Sequence, residues 1–225
     1  MFFNKLDRPG ASLNASFLSL LANRFHSQPL MLTIPVASFD PKDYASAEPG
    51  VQGIVDLVNW TVTKGDERIS LPDTEEELWQ HSPFPPGHPL LDHLIPARTQ
   101  LLESLSMHSE PLLSTLLTLP SSSSYLAIPP SIILPELRQA TLRNAILPIV
   151  CGAALKHIGT DVLLDYVGAL LASPLDVPPT QLAFPKQVQL LAWKVGWDKR
   201  RGWMTFVRVY SGSSHIDLLS FNVAD

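Results

Sequence analysis

The residues best suited to specific chemistry stand at the start of the chain. Asn4, Lys5 and Asp7 follow directly on the apolar run Met1–Phe3, in a loop punctuated by Pro9-Gly10. A carboxylate such as Asp7 accepts hydrogen bonds from two donors lying side by side. Guanine presents such a pair at N1 and its amino group. Adenine lacks both donors and would leave Asp7 unpaired, at a cost of about 1–3 kcal/mol. The stem of Lys5 is long enough to lie over a base with its ammonium at a ribose oxygen, and Asn4 can tie the loop to its neighbours. Taken alone, four residues at a strand end equally describe an ordinary surface loop.

A second segment bears on that choice. Ile146 to Val150 reads as a buried strand of parallel type, and it is followed by Cys151-Gly152-Ala153-Ala154-Leu155-Lys156 and then a helical stretch. Together with Phe3-Asn4-Lys5-Leu6-Asp7-Arg8-Pro9-Gly10-Ala11, Gln28-Pro29-Leu30, Gly53-Ile54-Val55-Asp56-Leu57, Ser173-Pro174, Asp176-Val177-Pro178 and Phe206 to Gly212, this segment resembles the elongation factor G family of translational GTPases, in family order over nearly the whole chain up to Gly212. The turn Asp198-Lys199-Arg200-Arg201-Gly202 is most similar to the ribosome-releasing mitochondrial branch of that family. The translocating branch, or a fragment that binds the ribosome or another partner without nucleotide, stays open beside it.

The resemblance implies an α/β fold: part of a P-loop GTPase G domain with an inserted α+β subdomain, then the start of a β-barrel. The implied boundaries are 1–26 for the guanine-specificity part of the G domain, 27–134 for the insertion, 135–179 for the last G-domain strand and helix, and 180–225 for an incomplete barrel. It assigns guanine contact to Asn4, Lys5, Asp7, Ala153, Ala154 and Leu155, the Ala154 backbone N–H meeting guanine O6. Ala153 departs from the serine usual in the family. GTP and Mg2+ are the implied cofactors. The implied partners are the mitochondrial ribosome, its RNA and a ribosome recycling factor, with no membrane, and the implied location is the mitochondrial matrix. Lys199, Arg200, Arg201 and Arg208 are the candidates for ribosomal RNA phosphates; an ordinary charged hairpin is the plainer reading.

GTP hydrolysis needs more than a base pocket. No glycine is followed by lysine, so the Gly-x-x-x-x-Gly-Lys-[Ser/Thr] phosphate loop is missing, and no Asp-x-x-Gly stands ahead of Asn4, where the family keeps it. No catalytic residue and no metal ligand is assigned, and the 225-residue chain alone is expected to be inactive and to bind GTP at best very weakly.

Composition fits this picture. Apolar residues make up 45% of the chain and charged residues 16%, which argues against disorder. A net charge of −5 gives no support to nucleic-acid binding through bulk charge. One cysteine excludes a disulfide framework. Cys151 beside His157 reads as a small buried residue and not as a nucleophile pair, and His81, His88, His93 and His108 match no metal-ligand spacing. No apolar run is long enough for a membrane span, and the N-terminus has neither signal nor transit character.

The elements that would position the loops follow from periodicity and punctuation. Helices are expected over Leu13–Phe25, Asp73–Gln80, Leu90–Leu105 (broken near Pro96), 111–119, Pro135–Asn144 and Thr160–Leu171, the last capped by Thr160. Strands are expected at Met1–Phe3, Leu30–Ile34 closed by Pro35, Gln52–Thr63, Arg68–Leu71, Ile146–Val150, Val188–Val195 and Met204–Tyr210. Ser121–Ser124 and 174–186 read as linkers. Residues 30–119 are expected to hold together by themselves, with the guanine-side strands poorly supported.

Overall fold

The computed structural model describes residues 1–45, 50–120, 122–173, 176 and 189–211. The expected linker at 174–186, save residue 176, and the tail at 213–225 lie outside them. Two compact units result, Met1–Leu171 and Ala172–Asp225.

In the first unit, β1 (Phe2–Phe3) and β2 (Pro29–Met31) both pair in parallel with β7 (Leu147–Cys151), in the order β1-β7-β2. The expected buried run at 146–150 is therefore the central strand, with Ile149, Val150 and Cys151 buried. The expected single strand at 30–34 is in fact two. Leu32, fully buried, is the joint: its N–H donates to Ile149 O (2.8 Å) and its carbonyl accepts from Leu57 N (2.9 Å). Beyond it runs β3 (Thr33–Val36). Pro35 lies within β3 instead of ending it, which is possible because β3 is an edge strand and need not donate on its outer side.

An antiparallel sheet follows in the order β3-β4-β5-β6, with β4 at Gly53–Asp56, β5 at Thr61–Lys64 and β6 at Glu67–Ser70. The stretch 52–63, expected to be continuous, folds back at Leu57–Trp60. Asp56 forces this bend: its Oδ1 accepts from Val58 N (2.9 Å) and Asn59 N (3.0 Å), and Trp60 takes a φ of +54°. Gly65, at φ +59°, makes the expected tight turn between β5 and β6.

Helices pack around these sheets. α1 (Leu13–Ala22) stops before the expected Phe25, at Asn23 and a left-handed Arg24. α2 (Glu75–His81) is capped by Thr74, whose hydroxyl accepts from Glu77 N. α3 (Leu91–Ser106) runs unbroken through Pro96, and α4 spans Glu110–Thr118. α5 (Pro130–Leu142) begins at Pro130, earlier than expected, with Pro at its first turn and a buried stripe of Ile133, Leu137 and Ala140. The serine-rich stretch before it, expected to be a linker, forms a 3-10 turn over Ser122–Ala127. α6 (Thr160–Leu170) starts from Gly159 at φ +78°; Thr160 lies inside the helix instead of capping it.

One core joins all of this. Leu6 from the loop after β1, Val150 from the parallel sheet, Val55 and Val62 from the antiparallel sheet, Leu102 from α3 and Leu170 from α6 belong to a single buried cluster. Residues 30–119 thus share their core with the guanine-side strands, contrary to the expected separation. In the second unit β8 (Gln189–Asp198) pairs antiparallel with β9 (Gly202–Ser211), with a register shift between Ala192 and Lys194. The helices and sheets together make a mixed α/β protein. No helix among the described residues is long and apolar enough to cross a membrane.

Candidate functional site

Parallel pairing of β1 with β7 sets the two loops side by side. Phe3 pairs with Cys151, so Asn4 and Gly152 leave the sheet together. Gly152 N donates to Phe3 O (3.0 Å) and Leu6 N to Gly152 O (3.2 Å). Asn4 Oδ1 accepts from Lys5 N (2.8 Å) and, across 150 residues of sequence, from Ala154 N (2.9 Å). Asn4 thus ties the loop to its neighbour. The Ala154 amide that the sequence assigns to an incoming base is directed at Asn4 here.

Lys5 is left-handed at φ +66°, which turns the chain so that Lys5 is exposed while Leu6 is buried. Asp7 is mostly enclosed, its side chain 11% exposed, and Lys156 Nζ lies 3.8 Å from its Oδ2. Asp7, Arg8 and Pro9 also line a cavity of about 220 Å3 with Pro35, Ala37 and Val51.

The second loop is closed on itself. Ala153 N donates to Ile158 O (2.9 Å) and Ile158 N to Ala153 O (3.2 Å). Glycines permit this: a Cβ on Gly152 would run into Ile158 O, and one on Gly159 would lie 2.6 Å from Cys151 O. Ala153 is buried, Ala154 half-buried, and Leu155 stands out at 78% exposure. Asp7, Ala154 and exposed Leu155 thus lie in the two loops that the Asn4 bond joins, with the Asp7 carboxylate beside Lys156 and the Ala154 amide taken by Asn4 Oδ1.

Cys151 is shielded from solvent. Its side chain is fully buried, its N–H donates to Thr33 Oγ1 (2.8 Å), and burial pushes the thiol up to about 12. Among the histidines, His88 is buried; Leu90 N donates to its Nδ1 (3.2 Å), so its Nε2–H donates to Ser38 O (2.7 Å). Lys199, Arg200, Arg201 and Arg208 are all exposed. Asp198 Oδ1 accepts from Arg200 N (2.8 Å) and Arg201 N (2.9 Å), which orders the turn that carries the first three.

The sequence did not single out a buried polar cluster behind the loops. Asp56, 1% exposed, accepts from Tyr166 OH (2.5 Å) and Asn59 Nδ2 (2.7 Å) besides its two backbone donors. Burial, with Asp56 beside it, pushes the Tyr166 hydroxyl well above its ordinary value. Arg98 is fully buried and donates to the carbonyls of Leu57, Val58 (3.2 Å), Tyr125 (3.3 Å) and Ile128 (2.6 Å). Burial pulls its guanidinium down to about 10, against the opposing pull of Asp56 and Asp73. An aspartate inside the apolar run Ile54–Val58 was the available signal, since a buried charge demands partners.

No protein-family model matches the chain. Among curated proteins it is 31% identical to mitochondrial ribosome-releasing factor 2 of Eremothecium gossypii, over 94% of this chain and 26% of that protein. It is 32% identical to elongation factor G of Amoebophilus asiaticus, over 94% and 28%. It is 29% identical to mitochondrial ribosome-releasing factor 2 of Mus musculus, over 99% and 27%. The chain is homologous to mitochondrial ribosome-releasing factor 2 and elongation factor G. It spans about a quarter of the length of these ribosome-releasing and elongation factor relatives. A crystal structure of a Thermus thermophilus protein shares the fold, with a TM-score of 0.60 at 18% identity over 94% of this chain and 27% of that one.

Proposed function

We propose that the Asn4–Asp7 and Ala153–Leu155 loops form the guanine end of a GTP site, with Asp7 accepting from N1–H and the amino group, Lys5 covering the base, and Leu155 packing on it. The observation that carries this is the bond from Ala154 N to Asn4 Oδ1, which holds two loops 150 residues apart as one surface. Residues 1–26 and 135–179 act as the guanine side of a G domain, 27–134 as its insertion and 180–225 as the start of a barrel. The whole protein is a mitochondrial GTPase that acts on the ribosome to release or recycle it after termination. Its basic turn, with Arg208, meets ribosomal RNA phosphates, and a ribosome recycling factor is its partner. Elongation is the second reading, supported by the 32% identity to elongation factor G.

Among the described residues no group of three or more His, Cys, Asp or Glu is placed to hold a metal ion, so no step through Mg2+ is derived. The residues present fit the base of GTP. They bind and select the base.

The test is a titration of the full chain with GMP, AMP and xanthosine monophosphate, followed by amide NMR shifts. GMP is expected to move the amides of residues 4–7 and 152–157 at roughly millimolar concentration, AMP not. Asp7→Asn places an amide donor against the guanine donors and suits the xanthine carbonyl, so preference passes to xanthosine monophosphate. Equal responses to AMP and GMP, or an Asp7→Asn chain that still prefers GMP, overturn the proposal.

A further inference from the structure

The loop Gly152–Gly159 is held at its entrance, and the helix that follows it in its first two turns, by side chains of the antiparallel sheet β3–β6. At its entrance, buried Thr33 on β3 accepts from Cys151 N (2.8 Å) through Oγ1, and its hydroxyl donates to Cys151 Sγ (3.3 Å), 118 residues away. At its exit, Gly159 starts α6 with its backbone close to Cys151: an added Cβ would meet Cys151 O at 2.6 Å and would come within 3.4 Å of Ile54 Cδ1 on β4. The helix that starts at this glycine is then held by the same sheet. Tyr166 donates to Asp56 on β4 (2.5 Å), and Arg68 on β6 reaches Asp161 (3.2 Å) and Asp165 (3.0 Å) in the first two turns of α6.

These contacts are not all of one worth. The Arg68 pairs are largely exposed, with side chains 40–60% accessible, and contribute little. The Thr33 and Asp56 contacts are buried, where an unmade bond is costly. Among the described residues Cys151 N has no other acceptor, because at Cys151 the strand has already passed its ladder with β2, which ends at Ile149. Thr33 is thus the group that fixes where the loop leaves the sheet, and Asp56 the group that holds the second turn of the helix that follows it.

We propose that Thr33 and Asp56, the latter through Tyr166, are positioning residues for the base-binding loop, so that the antiparallel sheet sets the geometry in which Ala153 and Ala154 are presented. This rests on the guanine reading for the ligand, but its physical content is the shape of the loop. It follows that anything that shifts this sheet shifts the base site, and, by reciprocity, a bound base stiffens the sheet.

Amide hydrogen exchange on the full chain, without nucleotide, tests it. The reporters are the amides of Ala153, Lys156 and Ile158, each bonded within the loop. Thr33→Val keeps the shape and removes the oxygen; it should speed exchange at these amides about tenfold relative to those of α3. Thr33→Ser, which keeps the oxygen, should restore protection. Leu105→Ala, a buried change in α3, destabilises the core generally and should leave the loop amides unchanged relative to the rest. Loop rates in Thr33→Val within about twofold of the unaltered chain, or an equal loop response to Leu105→Ala, overturn the proposal. If Thr33→Val does not fold, Tyr166→Phe decides: faster exchange at Ile158 and Leu163 supports the grip, and unchanged rates refute it. Because these measurements use no nucleotide, their failure leaves the guanine reading standing, and failure of the Asp7→Asn test leaves the grip standing.

Discussion

Removing one hydroxyl, by Tyr166→Phe, measures how strongly α6 is tied to the antiparallel sheet. Tyr166 is 5% exposed, and its ring packing survives the change, so no cavity is made. What is lost is one donor to a buried carboxylate. Asp56 keeps Val58 N, Asn59 N and Asn59 Nδ2, so its charge is not abandoned. A hydrogen bond to a charged group contributes about 1.5–3 kcal/mol, and that is the expected loss. Asp56→Ala is a different perturbation. It strands the Tyr166 hydroxyl, frees two turn amides and removes the strongest opposing charge on buried Arg98, for about 3–5 kcal/mol. The double variant should cost about as much as Asp56→Ala alone, since the hydroxyl has nothing left to bond, giving a coupling equal to the Tyr166→Phe loss, about 1.5–3 kcal/mol. Urea unfolding with an unchanged m-value measures all three. A loss below about 0.5 kcal/mol for Tyr166→Phe, or additive losses in the double variant, would refute the argument that this bond joins the two parts.

Gly159→Ala must place a Cβ 2.6 Å from Cys151 O at φ +78°, so a loss of about 2 kcal/mol or more is expected in thermal or urea unfolding, against little effect for Gly168→Ala on the open side of α6. Cys151 should resist a thiol reagent at pH 8 in the folded chain and react at once in urea. Its folded pKa is raised to about 12 while the unfolded thiol titrates near 8.5–9, so its contribution is fully present below the unfolded value. As pH rises from about 9 towards 12 the unfolded chain releases the proton first, and stability falls; Cys151→Ser should flatten that fall in urea midpoints measured against pH. Arg98→Leu leaves the carbonyls of Leu57 and Ile128 without a donor and Asp56 without its counter-charge, so a loss of about 3–5 kcal/mol is expected by the same measurement.

Elements whose signals are local were legible in the sequence. The apolar run of β7, the hairpin turn at Gly65, the spacing of α6 and the Asp198–Gly202 turn all appear where the residues place them. Punctuation misled where tertiary context overrode it. Pro35 reads as a strand end, but an edge strand tolerates it. Pro135 reads as a helix start, but Pro130 supplies an earlier one. The loops proposed to read the base were legible because the residues that carry the family resemblance stand together at short spacing in the sequence. The groups that brace them were not: Thr33 meets Cys151 across 118 residues and Asp56 meets Tyr166 across 110, and neither pair leaves a mark on its own neighbourhood except an aspartate among apolar residues.

The state of the loops in the free chain also bears on affinity. Both groups proposed to read the base are already engaged: the Ala154 amide with Asn4 Oδ1, and Asp7 with Lys156. A base would exchange these partners, and a net hydrogen bond obtained by exchange is worth only about 0.5–1.5 kcal/mol. Two or three such bonds, with apolar contact on exposed Leu155, must still offset the cost of immobilising the ligand, about 4 kcal/mol or more. Base contacts alone therefore select without binding tightly. The internal pairs do serve a purpose in that arithmetic. They keep the two loops in register at no further ordering cost, so that in the proposed reading Asp7 governs which base is accepted and not how tightly it is held.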